Sequence, residues 1–206
     1  MRKFLVFLCA ILLVFGVVGS ANALLFELNS YDVTLNNQDP GLVVNWSPIL
    51  PTPTQGDLSL CQPVTVDLFS IWTDETWINS DDLASKDISV EFDFTIPAPP
   101  FGGTVSGQTN GWSIFGILQG GNVNWNGPET LYFGPLGDGE LTISLSDECF
   151  NSGLFGLNEG ENYGAIVEAT FHMTREASPV PEPATMLLLG SGLIGLAGFR
   201  RKFRKK

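Results

Sequence analysis

The densest set of metal-competent oxygens in the chain lies between residues 74 and 87. Asp74, Glu75, Asp81, Asp82 and Asp87 fall there, with Asn79 and Ser80 adding neutral oxygens. Calcium takes six to eight oxygen ligands, so Asp74, Asp81, Asp82 and Asp87 are its candidate ligands. The regular Asp-x-Asp-x-Asp-Gly spacing of a calcium loop is absent, and a solvated acidic loop accounts for the same residues. A second chemistry is stacking of flat aromatic rings on sugars. Trp77 stands beside the acidic stretch, and Trp125 lies in Gly121 to Gly127, a run with three asparagines. These two are the candidate stacking residues, whereas Trp72 and Trp112 sit in dense apolar runs that suit a core.

Motifs for catalysis are missing. The chain has no Gly-x-Ser-x-Gly, no His-Glu-x-x-His and no glycine loop of the phosphate-binding kind. Its single histidine, His172, falls on the outward side of a strand with nothing in the sequence to orient it. Carboxylates are abundant enough that two at a glycosidase spacing would carry little meaning. No catalytic residue and no cofactor is expected, apart from the calcium reading. Cys61 and Cys149 pair as a disulfide in this reading, since an exported chain meets an oxidising compartment. The bridge would close a loop of almost 90 residues, worth about 4 kcal/mol in the chain-entropy account. Two cysteines and one histidine do not compose a zinc site.

The elements that must position these residues read as β-strands. In Ile88 to Ile96, the residues Ile88, Val90, Phe92, Phe94 and Ile96 share one face, and Ser89, Glu91, Asp93 and Thr95 the other. Glu140 to Leu145 and Ala165 to Thr174 repeat the alternation. Weaker strands are expected at Phe26 to Leu35, Leu42 to Trp46, Val64 to Trp72, Trp112 to Leu118, Val123 to Trp125 and Thr130 to Phe133. Turns are expected at Asp39 to Gly41, Pro48 to Gly56, Pro97 to Gly103, Gly120-Gly121 and Gly134 to Gly139. About nine short strands joined by Gly/Pro turns predict an all-β, antiparallel, jelly-roll-like β-sandwich over residues 24–176.

Both ends of the chain carry addresses. Met1-Arg2-Lys3, the apolar run Phe4 to Val18 and the small-x-small site at Ala21 and Ala23 compose a secretory signal peptide, residues 1–23. Signal peptidase is therefore a processing partner. A Pro-rich linker spans 177–183. It precedes a transmembrane helix over 184–199 and a basic cytoplasmic tail over 200–206. Sixteen residues reach about 24 Å, short of a hydrocarbon core of about 30 Å, and cross with local thinning and snorkelling. Six positive charges in the tail hold it on the cytoplasmic side.

Pro181-Glu182-Pro183, the apolar Ala184 to Phe199 and the basic Arg200 to Lys206 together resemble the PEP-CTERM sorting signal of Gram-negative bacteria. The resemblance covers only this terminal segment. It implies an exosortase that recognises Pro181, Glu182 and Pro183 and removes the helix, with the domain held at the inner membrane in the meantime. Delivery to the cell surface or the extracellular polysaccharide matrix follows. From Glu27 to Glu182, twenty-two carboxylates face only Lys86 and Arg175, a net charge of −20 hidden within the whole-chain −12. Such a surface excludes nucleic acid as a partner. The reading that results is an exported, non-enzymatic surface protein of structural or adhesive role. A carbohydrate-binding module, calcium-assisted or not, is the alternative, and a polysaccharide hydrolase is a more distant one.

Overall fold

A computed structural model describes residues 23–37 and 40–179. The expected transmembrane helix and basic tail, the Pro-Glu-Pro triplet and the expected signal peptide up to Asn22 lie outside the described residues. Among the described residues no helix is long and apolar enough to cross a membrane.

Eleven strands build two antiparallel sheets. They are β1 (Leu24–Leu35), β2 (Asn45–Pro48), β3 (Thr54–Leu58), β4 (Val64–Trp72), β5 (Lys86–Ile96), β6 (Phe101–Ile114), β7 (Leu118–Trp125), β8 (Glu129–Phe133), β9 (Gly139–Leu145), β10 (Glu148–Leu154) and β11 (Ala165–Arg175). The six-stranded sheet has the order β10-β7-β6-β5-β1-β3, and the five-stranded sheet β2-β4-β11-β9-β8. Alternation drives the burial: Ile88, Val90, Phe92 and Phe94 of β5 point inward, as do Val167, Ala169, Phe171 and Met173 of β11. Edge-to-face aromatic pairs join the sheets, with Phe26 5.1 Å from Phe133 and Phe92 6.0 Å from Phe171 between ring centroids.

The sandwich expected from the sequence is present, and several details differ; Gly120-Gly121, expected as a turn, lies inside β7. Strand β3 lies where a turn was expected, and β10 was not anticipated. The part of β6 from Phe101 to Gly111 was also hidden, because the inward positions Gly103, Gly107 and Gly111 erase the apolar alternation. Those glycines make room for neighbours: a Cβ would stand 2.2 Å from Leu131, 2.7 Å from the Trp125 ring and 2.8 Å from Ile78 respectively. The stretch Trp112 to Leu118, expected as one strand, is instead the tip of the β6–β7 hairpin. Phe115 and Gly116, the central residues of the turn in a three-residue connection, both take positive φ, 52° and 68°, the sign that suits the twist of hairpin strands. Ile117 N–H closes the turn on the Ile114 carbonyl at 3.0 Å.

The expected disulfide is corrected. Cys61 and Cys149 are both free and exposed. Cys61 follows β3, with its N–H on the Met173 carbonyl at 2.9 Å. Cys149 sits on β10, and its Sγ donates to Asn122 Oδ1 at 3.0 Å. Strands β3 and β10 are opposite edges of the six-stranded sheet. Strands lie about 4.8 Å apart and a bridge needs Cα atoms within about 7 Å, so four intervening strands keep the thiols apart. Protein carrying only these two cysteines should take up two maleimide labels under native conditions without reductant. Recovery of a Cys61–Cys149 linked peptide in place of labelling would contradict the structure.

Candidate functional site

The acidic stretch becomes the loop between β4 and β5, which is partly buried at one end of the sandwich. Buried loop backbone needs partners, and two fully buried amides supply them. Asn151 accepts from Thr73 N–H through Oδ1 at 2.9 Å and donates through Nδ2 to the Asn158 and Gly160 carbonyls. Gln119 Oε1 accepts from Ile78 N–H at 2.7 Å. Backbone bonds complete the seam: Gly111 N–H to the Asp82 carbonyl at 2.7 Å, and Leu157 N–H to the Thr76 carbonyl at 2.9 Å.

The structure does not bring the four calcium candidates together. Asp82 is buried, and its Oδ2 accepts from Asn79 N–H at 2.8 Å. Asp74 is exposed and accepts from Asn45 Nδ2 at 2.9 Å. Asp81 and Asp87 are exposed, and Asp87 pairs with Gln108 on the outer face of β5. Among the described residues no three His, Cys, Asp or Glu side chains group closely enough to hold a metal ion. Lys86, at the C-terminal end of the loop, is buried; its Nζ donates to the Gly41 carbonyl in the β1–β2 connection at 3.2 Å, and its charge acts on Glu75. Burial raises the Glu75 carboxyl above its ordinary range, against the Val43 N–H that its Oε1 accepts at 2.7 Å; Asp82 pushes in the same direction as burial.

The tryptophans divide differently from the sequence reading. Trp125 packs against the core, and its Nε1 donates to the Ser146 carbonyl at 3.0 Å, so it fastens the sheets rather than presenting a ring. Trp77 is 48% exposed and lies near Gly156. Trp112, assigned to the core from its apolar neighbours, stands on the outer face of the six-stranded sheet. It pairs across strands with Gly120, where a Cβ would be 2.7 Å from three indole atoms, so the ring covers that glycine. Its Nε1 is buried without a partner among the described residues, a state costing about 1–3 kcal/mol.

Around Trp112 the same face presents Gln108 and Asn110 from β6, paired with Asn124 and Asn122 from β7. Sequence reasoning missed this group. Its one signal is the lack of any charged residue from Phe94 to Pro128 in so acidic a chain. Beyond Trp112 the hairpin tip is apolar: Phe115 is 95% exposed, and Phe155 N–H bonds the Ile117 carbonyl at 2.6 Å. His172 lies on the other sheet opposite Thr142, half-buried, with no hydrogen bond to its buried Nε2 among the described residues.

The first and last described residues gather at the opposite pole. Ala23, Leu24, Pro97, Pro135 and Ala177 line one depression there. Ser178 N–H donates to Asp138 Oδ1 at 3.1 Å, and the Ser178 side chain and amide hold that carboxyl below its ordinary range. Strand β6 runs from Phe101, beside this pole, to Ile114 at the tip. At about 3.3 Å per residue that is roughly 40 Å.

Two variants test the loop. Asn151→Ala should cost about 3 kcal/mol in urea unfolding, because the Thr73 amide and two carbonyls lose their partner together; a cost under about 1 kcal/mol would show that the loop does not depend on it. Glu75→Gln keeps an acceptor for Val43 N–H and removes the charge. A raised folded-state pKa means that the Glu75 contribution is fully present below the unfolded value near 4.5 and is lost as pH rises through the folded one. E75Q should therefore melt higher than wild type at pH 7, with the gap closing below about pH 4. An equal gap at both pH values would refute the assignment.

The PEP-CTERM protein-sorting motif matches residues 179–202. No curated protein and no solved structure matches the chain. The C-terminal signal implies export, processing by an exosortase and sorting to the cell surface of a Gram-negative bacterium.

Proposed function

We propose that the sorted domain is a non-enzymatic surface protein with a structural or adhesive role. The observation that supports this reading is the polarity of the fold. Ala23, Leu24 and the docked segment Ala177 to Pro179 share one pole, so the domain hangs from its tether by that end. The uncharged sheet face and the exposed hairpin tip extend away from it, in the orientation a contact surface needs. The net charge of −20 from Glu27 to Glu182 keeps such domains soluble and mutually repelling until something uncharged is met. Before processing, a membrane helix at 184–199 would hold the domain outside the inner membrane.

Replacing Pro181, Glu182 and Pro183 by alanine should leave a full-length protein in the membrane fraction, whereas wild type should be shortened and recovered with the surface or matrix. Unchanged processing in the triple variant would rule out the role assigned to the triplet. Wild-type protein found only as a soluble species in the medium would rule out the structural or adhesive role.

A further inference from the structure

We infer that the outer face of β6 and β7 is a binding strip for a neutral polysaccharide, with Trp112 as its stacking platform. The inference rests on the surface role proposed above and names the partner. Three features carry it. The first is the shape of the platform. Trp112 lies across its cross-strand partner Gly120, the one residue that lets an indole settle onto the sheet. A ring held down in this way is already ordered, so stacking on it does not have to freeze a mobile side chain.

The second feature is the chemistry of the strip. Gln108 pairs with Asn124 and Asn110 with Asn122, which sets four primary amides in a block beside the ring. Each amide offers donors and an acceptor, the mixture that sugar hydroxyls match, and Gln108 and Asn124 are exposed. Neither of these two side chains has a hydrogen-bond partner among the described residues. The Trp112 Nε1 likewise lacks an acceptor. From Ser106 to Trp112 the strip runs about 20 Å at roughly 3.3 Å per residue. That length and its open form fit a polymer rather than a single sugar.

The third feature is charge. No charged residue occurs from Phe94 to Pro128 or from Cys149 to Asn158, so β6, β7 and most of β10 are neutral in a strongly acidic domain. The neighbouring strand β5 sets Asp87, Glu91 and Asp93 opposite Gln108, Thr104 and Gly102. This acidic border repels anionic polymers and leaves neutral ones as the complementary partner.

Full-length protein in a polyoxyethylene detergent can be run on native gels cast with soluble β-glucan, xylan or galactomannan, and with anionic alginate. At least one neutral polymer should retard it, and alginate should not. Trp112→Ala should weaken binding about tenfold, Trp112→Phe less, and Gln108→Ala with Asn124→Ala about threefold. Trp77→Ala should change nothing. The amide variants replace exposed side chains, so their melting should match wild type and keep the test valid if W112A unfolds. No retardation by the three neutral polymers, or retention by alginate alone, would overturn the inference. So would binding that survives both the Trp112 and the amide variants, or that is lost only on Phe115→Ser, which would move the contact to the apolar tip. Because the gels use purified unprocessed protein, failure here is distinct from failure of surface delivery.

Discussion

The β4–β5 loop has to be buried to close one end of the sandwich, and a buried loop cannot leave its amides and carbonyls unpaired. Asn151 and Gln119 meet this demand from two different strands, β10 and β7. Asn151 takes a positive φ of 52° to do so, a conformation that asparagine tolerates better than most residues. The consequence spreads along the sheet. Gly111 must lack a side chain, because Ile78 of the loop lies against it and the Asp82 carbonyl takes its N–H. Strand β10 must reach the end of β7 to carry Asn151, and that places the Leu154–Phe155 turn beside the β6–β7 tip.

Lys86 fits the same frame. A lysine at the start of β5 belongs to the inward set by alternation, and a buried ammonium needs oxygen partners. The Gly41 carbonyl, in the connection between β1 and β2, provides one, and Glu75 of the loop adds its field. Glu75 feels the Lys86 charge and Asp82 accepts from the Asn79 amide, so two of the carboxylates have partners within the protein. The same cluster, seen only as a linear string, reads as a calcium loop. The string carries no information on which oxygens turn inward.

The architecture was legible wherever large apolar residues alternate with polar ones. Strands β4, β5, β9 and β11 announce themselves because Phe, Ile, Val and Leu fill their inward positions. Strand β6 did not, for a reason particular to it. Its inward positions are Gly103, Val105, Gly107, Thr109 and Gly111, small because Leu131 from the opposite sheet, Trp125 from the neighbouring strand β7 and Ile78 from the β4–β5 loop occupy the space. A strand whose partners supply the bulk has no hydrophobic period of its own. The tryptophans were misassigned by the same logic. Trp125 sits among asparagines and faces the core, whereas Trp112 sits among apolar residues and faces out. Local composition and facing diverge near a hairpin tip, where the chain reverses and exposed apolar residues accumulate. The cysteine pairing failed on topology: sequence separation says nothing about which edge of a sheet a residue occupies.

Glycine in β6 and β7 therefore does two things at once. On the inward side it admits bulky neighbours, and on the outward side Gly120 admits the Trp112 ring. Glycine in a strand weakens it, by up to about 1 kcal/mol each, and the unpartnered indole N–H adds its own cost. A sheet assembled for stability alone would place β-branched residues at these outward sites, and it would not lay an indole over a glycine in the open. The cost falls on the one part of the sheet that is free of charge and leads away from the tethered pole. In a domain that carries twenty-one carboxylates, leaving two long antiparallel strands without a single charge also forgoes the usual protection of a solvent-facing surface. A surface that is less stable and less well solvated than it could be, and that points outward, is the kind of local compromise that goes with contact to another molecule.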